Sequence, residues 1–488
     1  MKKFFITFLG LVVCAVVQGA VVFVPSMSQT DMLAAAQSAH DGDTFIFPSG
    51  AAIYTATVEW TNAVTLKFVP GGSVIIDSMD PTQYPLLFSG RTGTKPLRIT
   101  GLSIRGNGSG GGIKIDTADS TAIRIDHCSF SECGYTNYQA DYGRGVLIGG
   151  YRVYGVVDHC TFTNNSTHFE NLGNNSQSWQ FSVDPYGLGT TNGVVLEDNY
   201  FYEDDSRTAI SDIHFLVSQG SRVCFRHNSV RIDGTRASSF WDSHGNGNLL
   251  PNNARGAVYT VIENNTLNIG SANNGGKEFY IRGGCFIMIS NNITTVAPYE
   301  VVFTEEECWY HAAGLLNFPQ DYSTWPRQDQ ITNSWVVNNI RNGAPMLPQD
   351  VYLWDGGINN GFVQVCIQQG RDYWITNSVP PAANYTPLVY PHPLVSADSG
   401  RRNSPPIVLA RATPDNGSAP LAVSFSTLGS YNPNGTALTY FWNFGDGNLA
   451  MVANPSHTFA TNGTFKVQVA ISDGLNTVTT NLIVAAKQ

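Results

Sequence analysis

The sequence is poor in charge, in lysine and in cysteine. Only 13% of its 488 residues are charged, whereas glycine, asparagine, serine and threonine are abundant. This composition suits an extracellular β protein better than a helical one. The net charge of −10 argues against nucleic acid and anionic membrane surfaces as partners. Arginine outnumbers lysine by 19 to 8, and its planar fork suits the bidentate recognition of carboxylates.

Several common catalytic and metal-binding motifs are also missing. The sequence has no phosphate-binding loop, no GxSxG nucleophile elbow and no zinc-type spacing of cysteine and histidine. This argues against nucleotide enzymes, serine hydrolases and structural zinc sites.

A long apolar run occurs at the N-terminus, MKKFFITFLGLVVCAVVQGA. It predicts a secretory signal over residues 1–20, with cleavage after Gly19 or Ala20. Lipidation of Cys14 is the alternative, although LVVC lacks the small residue expected before a lipidated cysteine. Later segments fall short of the ~18 uncharged apolar residues that a membrane span needs. We therefore expect an exported chain that is not inserted into a membrane.

A short motif recurs seven times and predicts the fold. Its copies read IDHCSF at 125, VDHCTF at 157, LEDNYF at 196, FRHNSV at 225, IENNTL at 262, ISNNIT at 289 and VVNNIR at 336. The fourth residues of these copies, taken as anchors, are Cys128, Cys160, Asn199, Asn228, Asn265, Asn292 and Asn339. Their spacings of 27 to 47 residues are typical of a solenoid. Asparagine tolerates a left-handed turn and can bond the same residue one coil away, which indicates a right-handed parallel β-helix.

The cysteines do not indicate a disulfide scaffold, because seven remain after cleavage of the signal and this number is odd. Cys128 and Cys160 share the anchor position of neighbouring repeats. The spacing of one coil permits a disulfide between them, but buried thiols are the favoured state.

On these motifs, residues 21–395 resemble the pectate/pectin-lyase-like superfamily of right-handed parallel β-helices. Residues 29–54, QTDMLAAAQSAHDGDTFIFPSGAAIY, resemble its N-terminal cap, a short amphipathic helix that leads into the first coil. YTPLVYPHPLV at 385–395 resembles its exit segment. The resemblance implies an all-β domain with a cap helix and a polysaccharide as partner. It leaves the reaction open, since one fold can carry many sites.

A second domain is predicted over residues 405–488, after a linker at 396–404. The stretches GSAPLAVSFSTLGSYNPNGTALTYFWNFGDG, NPSHTF and GTFKVQVAISDG resemble a polycystic-kidney-disease-type (PKD) domain. Short alternating strands separated by Asn-Gly, Asp-Gly and Pro turns also predict an Ig-like β-sandwich. We expect Trp442 and Phe444 in its core and a turn at 445–447. The resemblance implies a spacer or a weak binder of carbohydrate or protein, without catalysis.

Two arginines have the same predicted phase in the repeat. Arg255 lies ten residues before Asn265, and Arg282 lies ten residues before Asn292. Equal phase would stack the two guanidinium groups about 4.8 Å apart, where they need an anion. The protein can supply it, from Asp242, Asp212 or Glu278. A uronate of an acidic polysaccharide is the alternative; in lyases of the superfamily, an arginine on such a face also removes the proton beside that carboxylate. Arg255 and Arg282 are thus candidate catalytic residues, whose replacement by alanine should leave the fold nearly intact.

A doubled Asp-x-His pattern lies on coils that should be adjacent, in SDIHF and FWDSHG. Residues i and i+2 of a strand face the same side, so each pair can present a carboxylate and an imidazole together. Such a cluster can bind a divalent metal or supply a general acid or base, whereas solvated loop histidines are the alternative. Asp242 and His244 are candidate catalytic residues. Asp212 and His214, with Trp241, are candidates for substrate binding.

Calcium is a further candidate cofactor, and the metal requirement stays open. The acidic runs are EDD at 203–205 and EEE at 305–307, but they lack the aspartate spacing of the calcium-binding pectate lyases. Loop aromatics could stack on sugars or cover coil edges. They are Trp179, Tyr186, Trp241, Trp309, Tyr310, Trp325 and Trp354.

Two classes of function follow. The first is a secreted protein that acts on an acidic polysaccharide, as a lyase or, within the same class, as a glycoside hydrolase. The second is a non-catalytic surface or matrix protein with a β-helix rod and a PKD spacer. Stacked arginines beside a long polar loop favour the first, because a rod does not need them.

Overall fold

The structure is a computed structural model. It describes residues 19–69, 72–76, 83–89, 95–106, 110–117, 121–134, 143–150, 153–173, 193–204, 213–233, 239–245, 256–270, 277–304, 330–354, 362–376, 385, 388–395, 406, 408, 410–427, 430, 438–472 and 477–487. Residues 1–18 of the predicted signal and the whole predicted linker lie outside this described part.

The described strands of the N-terminal domain form three long sheets, parallel except for one short hairpin at the end of sheet 2. Sheet 1 contains β1 (Val21–Phe23), β2 (Thr44–Phe47), β5 (Thr65–Phe68), β8 (Leu97–Thr100), β11 (Thr121–Asp126), β14 (Val153–Asp158), β17 (Val194–Glu197), β20 (Arg222–Arg226), β23 (Tyr259–Glu263), β26 (Cys285–Ile289), β29 (Ser334–Val337) and β33 (Tyr373–Thr376). Sheet 2 contains β3 (Gly50–Tyr54), β6 (Gly72–Ile76), β9 (Ser103–Arg105), β12 (Ser129–Ser131), β15 (Thr161–Thr163), β18 (Tyr200–Glu203), β21 (Ser229–Ile232), β24 (Thr266–Ile269), β27 (Asn292–Thr295), β30 (Ile340–Arg341) and β31 (Ala344–Pro345). Sheet 3 contains β4 (Val58–Trp60), β7 (Leu86–Phe88), β10 (Ile113–Thr117), β13 (Arg144–Gly150), β16 (Thr167–Leu172), β19 (Ile213–Ser218), β22 (Ser239–Ser243), β25 (Lys277–Ile281), β28 (Tyr299–Phe303) and β32 (Val351–Leu353).

Each regular coil adds one strand to every sheet. The chain passes from β20 in sheet 1 to β21 in sheet 2 and β22 in sheet 3, and then returns to β23, which pairs with β20. Such parallel crossovers are right-handed. The predicted right-handed parallel β-helix is therefore confirmed.

Inward side chains at equivalent positions stack along the helix axis. Phe130, Phe162 and Phe201 form one such column, with ring centroids 5.0 and 4.7 Å apart. Alternation along each strand sends every second side chain into this core, so the apolar residues of the motif are buried.

An amide ladder joins the anchor residues of successive coils, as predicted. The amide oxygens of Asn199, Asn228, Asn265, Asn291 and Asn339 each accept the backbone N–H of the anchor one coil earlier, at 2.9–3.0 Å. Each bond satisfies a backbone donor that is buried at the turn, where water cannot reach it. The ladder thereby fixes the corner between sheets 1 and 2.

Two details of the predicted motif are wrong. The sixth anchor is Asn291 instead of Asn292, because Ile262 pairs with Met288 and the whole copy shifts by one residue. The left-handed conformation belongs to the residue before the anchor, for example to Asn264 with φ 55° and Asn338 with φ 51°. The anchor amide faces inward, while the preceding residue makes the bend.

Helix α1 (Gln29–Ser38) confirms the predicted N-terminal cap. The Ser28 side chain accepts a hydrogen bond from the N–H of Asp31 at 3.1 Å, which satisfies one free donor of the first turn. Met32, Ala35 and Ala36 are buried. Two short helical segments occur later, η1 (Pro348–Asp350) and α2 (Phe362–Cys366).

The exit segment 388–395 covers the outer face of sheet 1. Buried Arg226 binds Glu197 and donates to the carbonyls of Leu388 and Val389 at 2.7 and 3.0 Å. Arg124 donates to the Leu394 carbonyl at 3.1 Å. Sheet 1 is thus occupied by the chain itself over these coils, which leaves the outer sides of sheets 2 and 3 for a ligand.

The C-terminal domain has two further sheets and its own apolar core. Sheet 4 contains β34 (Arg411–Thr413), β36 (Leu421–Ser426) and β39 (Ser456–Phe459); sheet 5 contains β35 (Asn416–Ser418), β41 (Thr477–Lys487), β40 (Gly463–Ser472), β37 (Thr439–Asn443) and β38 (Leu449–Ala450). Trp442 and Phe444 are buried between them, as predicted. Gly445 and Gly447 have φ values of 83° and 93°, which fit the predicted turn.

Candidate functional site

The candidate site lies on the outer side of sheet 3, where β22 and β25 end. Asp242 pairs with Tyr280 in the sheet, and Ser243 pairs with Ile281. The N–H of Arg282 donates to the carbonyl of Ser243 at 2.9 Å. His244 and Arg282 therefore follow equivalent strand ends on adjacent coils, which places the imidazole and the guanidinium side by side.

Asp242 is the centre of this cluster. One of its oxygens, Oδ2, accepts a hydrogen bond from Nη2 of Arg282 and lies 3.3 Å from Nε2 of His244. The carboxylate is 1% exposed, whereas the side chains of Arg282 and His244 are 13% and 21% exposed. The other oxygen, Oδ1, is buried without a hydrogen-bond partner among the described residues. The cluster thus presents a cation and an imidazole to the surface above a buried anion.

The electrostatics keep Asp242 ionised. Burial raises its pKa, but the charges and hydrogen bonds of Arg282 and His244 outweigh this and lower the pKa to about 2. In the neutral form of His244, a hydrogen bond to the ionised Asp242 places the hydrogen on Nε2 and leaves the basic lone pair on Nδ1. This is the arrangement in which a carboxylate orients a histidine for proton transfer.

Aromatic rings extend the cluster toward the later coils. The guanidinium of Arg282 lies 4.6 Å from the ring centroid of Tyr280, and Tyr280 lies 5.6 Å from Trp354. Tyr299 and Tyr352 stack at 4.5 Å, and Tyr352 is exposed. Sequence reasoning missed Tyr280, although it precedes Arg282 by two residues and so faces the same side as this arginine in an alternating strand.

The predicted role of Trp241 in substrate binding is wrong. Its side chain points inward and is fully buried, stacking on Phe215 at 5.4 Å. Its Nε1 donates to Oγ of Ser243, which also contacts the Thr260 hydroxyl at 2.8 Å. Alternation along β22 explains this, because neighbouring strand residues face opposite sides and Asp242 faces out.

The two Asp-x-His pairs lie on adjacent coils, but they are not in register. β19 and β22 are adjacent, as expected, but Asp242 pairs with Leu216. His214 is buried inside the core against His168, so it does not contact a substrate on the surface. Unequal loop lengths shifted the register. Asp212 lies outside the described residues.

The predicted pairing of the two arginines changes as well. Arg255 lies outside the described residues, so its contacts stay a prediction. Arg282 lies nine residues before Asn291, the ladder residue, whereas Arg255 lies ten residues before Asn265, so the equal spacing on which the predicted stacking rested does not hold. The anion beside Arg282 is the protein's own carboxylate, Asp242, which was one of the two predicted sources; a uronate of the substrate was the other.

The remaining predictions concern calcium and the cysteines. In the first acidic run, Glu203 is buried in the core and Asp204 accepts a hydrogen bond from Asn164 at 2.9 Å. The second run, 305–307, lies outside the described residues. Cys128 and Cys160 are free and buried, which confirms the preferred thiol state.

Comparison with known proteins identifies the C-terminal domain. The family model of the PKD domain matches residues 403–485. Residues 403–485 form a PKD domain. The chain is also similar to collagenase ColA of Bacillus cereus (37% identical over 51 residues), collagenase ColQ1 of B. cereus strain Q1 (29% over 79) and a microbial collagenase of Vibrio alginolyticus (31% over 65). These PKD-domain matches cover 10%, 16% and 13% of this chain and only 5%, 8% and 8% of the respective collagenases.

The chain also has a weak similarity to a solved structure. A structure described as a new PL6 alginate lyase in complex with a trisaccharide aligns with 12% identity and a TM-score of 0.35. The alignment covers 66% of this chain and 60% of that one. Separately, a search of the described helices found none with the length and apolarity that a membrane crossing requires.

Proposed function

We propose that the protein is an exported, carbohydrate-active β-helix protein that binds an acidic polysaccharide on the outer side of sheet 3 and cleaves it by β-elimination. The observation that supports this is the cluster of Asp242, His244 and Arg282, because it joins a partly exposed cation to an oriented imidazole. The predicted secretory signal and the PKD domain fit an extracellular site of action.

Elimination at a uronate requires three events. The charge of the sugar carboxylate must be neutralised, the proton on the adjacent carbon must be removed, and the glycosidic oxygen at the next carbon must leave. Arg282 is the candidate for the first event, since a guanidinium stabilises the negative charge that develops on the carboxylate. His244 is the candidate base: its Nδ1 takes the proton from carbon, and the imidazolium so formed can give a proton to the departing glycosidic oxygen, which leaves as a hydroxyl group. Arg255 stays a second candidate cation from the sequence.

Elimination suits this cluster better than hydrolysis does. Glycoside hydrolysis ordinarily uses two carboxyl groups that flank the scissile bond. Asp242 is buried and already bound to Arg282 and His244, so it is poorly placed to protonate a leaving oxygen. The partly exposed ring of Trp354 and the exposed ring of Tyr352 would offer apolar faces to successive sugars.

The second candidate function, a non-catalytic rod, is favoured by one observation. Arg282 is 13% exposed and bound to a buried carboxylate. An arginine with a purely structural role, as one half of an internal ion pair, would have the same environment. The earlier expectation that Arg282→Ala leaves the fold intact therefore needs revision. Removal of one partner of a buried ion pair costs about 3–5 kcal/mol, because the other charge stays buried. Activity and stability must be separated in the test.

The test is release of unsaturated products, followed by ultraviolet absorbance across a panel of uronic-acid polysaccharides. We expect His244→Ala to lower kcat more than it changes KM. The double variant Asp242→Asn/Arg282→Gln should recover most of the stability that Arg282→Gln loses, because no buried charge remains, but its kcat/KM should stay at least tenfold below wild type, about 1.4 kcal/mol. Arg231→Ala replaces an exposed arginine of sheet 2 and is the control; it should change neither the stability nor kcat/KM.

Two outcomes would contradict the proposal. One is the absence of unsaturated products from every uronate in the panel, together with no measurable binding; the rod would then be the better account. The other is full activity in the folded double variant, which would show that Arg282 only braces Asp242.

A further inference from the structure

Three titratable side chains lie together inside the β-helix, at the corner where sheet 2 leads into sheet 3. His168 belongs to β16, His214 to β19 and Glu203 to the end of β18. All three are buried, and each has a nitrogen or oxygen within 4.8 Å of those of the other two. Because Phe169 pairs with Phe215, the histidines occupy equivalent positions on adjacent coils, and their rings stack at 5.5 Å.

The surroundings of this trio are aromatic. The ring of His168 lies 5.6 Å from Phe201 and 6.3 Å from Phe162, and the ring of His214 lies 6.5 Å from Phe240. Charge is expensive in an environment of this kind unless a partner or a metal ion compensates it. A carboxyl group and two imidazoles at one point of an apolar core therefore need an explanation beyond packing.

His168 has a nitrogen available for a ligand. Its Nδ1 makes a long hydrogen bond of 3.3 Å with the amide nitrogen of Asn165. The stronger bonds of Asn165, both 3.0 Å long, go to the carbonyl of Phe130 and the N–H of Cys133. Nε2 of His168 is buried and has no hydrogen-bond partner among the described residues.

We infer that His168, Glu203 and His214 bind one divalent transition-metal ion inside the β-helix, with Zn²⁺ as the best match. Two imidazole nitrogens and one carboxylate oxygen are a ligand set that zinc accepts, whereas calcium and magnesium prefer oxygen ligands alone. Three protein ligands leave one position, which an enclosed water molecule can fill. The ion would tie β16, β18 and β19 together, a stabilising role that is independent of the proposed polysaccharide chemistry.

Sequence spacing could not reveal this site. Glu203 lies 35 residues after His168 and 11 before His214, so no short motif contains the three. They meet only because one coil returns the chain to the same corner.

The test begins with the full chain, produced in medium that contains zinc and purified without chelators. Elemental analysis should find about one zinc ion per chain in the wild type. His168→Gln and His214→Gln should each retain less than a tenth of this amount. His159→Gln changes an exposed histidine of a nearby turn and should retain all of it. Circular dichroism checks that every variant is folded.

The second measurement uses refolding, because the site is enclosed. Wild-type protein unfolded with a chelator should refold in Co²⁺ with the visible absorption of a four-coordinate nitrogen–oxygen site, and Zn²⁺ should raise its Tm. X-ray absorption at the zinc edge should show two imidazoles and no sulfur. These measurements use only wild-type protein, so they test the site even if the glutamine variants fail to fold.

Two results would overturn the inference. Wild-type protein with less than a tenth of an ion per chain, and no change of Tm with Zn²⁺ or Co²⁺, would mean that the trio only shares protons. Equal metal content in the wild type and both glutamine variants would place the ion elsewhere.

Discussion

At the scale of single residues, Asp242 determines what the candidate site can do. It is buried, yet it faces outward from the sheet, because Arg282 and His244 close over it. The sequence suggested that Asp242 takes part in catalysis. Its geometry indicates a positioning role, which orients one partly exposed imidazole and one partly exposed guanidinium.

The lowered pKa of Asp242 predicts a dependence of stability on pH. The group binds its proton less tightly in the folded state, with a pKa of about 2, than in the unfolded state, near 3.8. It therefore stabilises the fold above pH ~4, and this contribution of about 2 kcal/mol is lost as the pH falls through the folded pKa. Urea unfolding between pH 5 and 2 should show this loss in the wild type and a flatter profile in Asp242→Asn. Identical slopes would mean that the carboxylate is not held by Arg282 and His244.

At the scale of the repeating element, the turn between sheets 1 and 2 carries the amide ladder. The amide of Asn228 donates to the carbonyl of Leu196 at 2.9 Å, and its oxygen accepts the N–H of Asn199. One side chain thus satisfies two backbone groups of the preceding coil. The motif is visible in the sequence for this reason, since a shorter or apolar side chain would leave those groups buried and unpaired.

Asn228→Ala should therefore be strongly destabilising. The loss of an acceptor and a donor for buried backbone groups costs about 1–3 kcal/mol each, and we expect about 3 kcal/mol in total. Asn268→Ala is the matched control, because Asn268 is an exposed asparagine on sheet 2, and it should cost less than ~0.5 kcal/mol. Chemical denaturation measures both. Equal effects would show that the ladder contributes little to stability.

At the scale of the whole molecule, the described apolar cores fall into separate sets. The β-helix core ends before the predicted linker, and the PKD domain has its own core around Trp442. Separate cores permit separate cooperative units.

Differential scanning calorimetry of the full chain should consequently show two transitions. Trp442→Ala removes a fully buried ring, which costs about 3–5 kcal/mol, and should lower only the transition of the PKD domain. Met451→Ala, at an exposed position of the same domain, should leave both transitions in place. A joint shift of both transitions in Trp442→Ala would mean that the two domains unfold as one unit.

The sequence by itself determined the parts that depend on local periodicity. The recurring anchors predicted the β-helix, the GDT-containing N-terminal segment predicted helix α1 and the first coil, and the C-terminal turns predicted the PKD sandwich. These features are local because each needs only a strand, a turn residue or a cap within a few positions.

Only the tertiary structure decided which side chains meet. Coils of unequal length set the register, which moved the sixth ladder residue to Asn291. Alternation along β22 turned Trp241 into the core and Asp242 outward. Each coil brings the chain back to the corner between sheets 2 and 3, and this is why His168, Glu203 and His214 lie together. Loop length is free to vary in a solenoid, because each coil needs only to arrive at the next strand. Which side chains of neighbouring coils meet therefore depends on the lengths of all the loops between them. These lengths cannot be read from a local sequence motif.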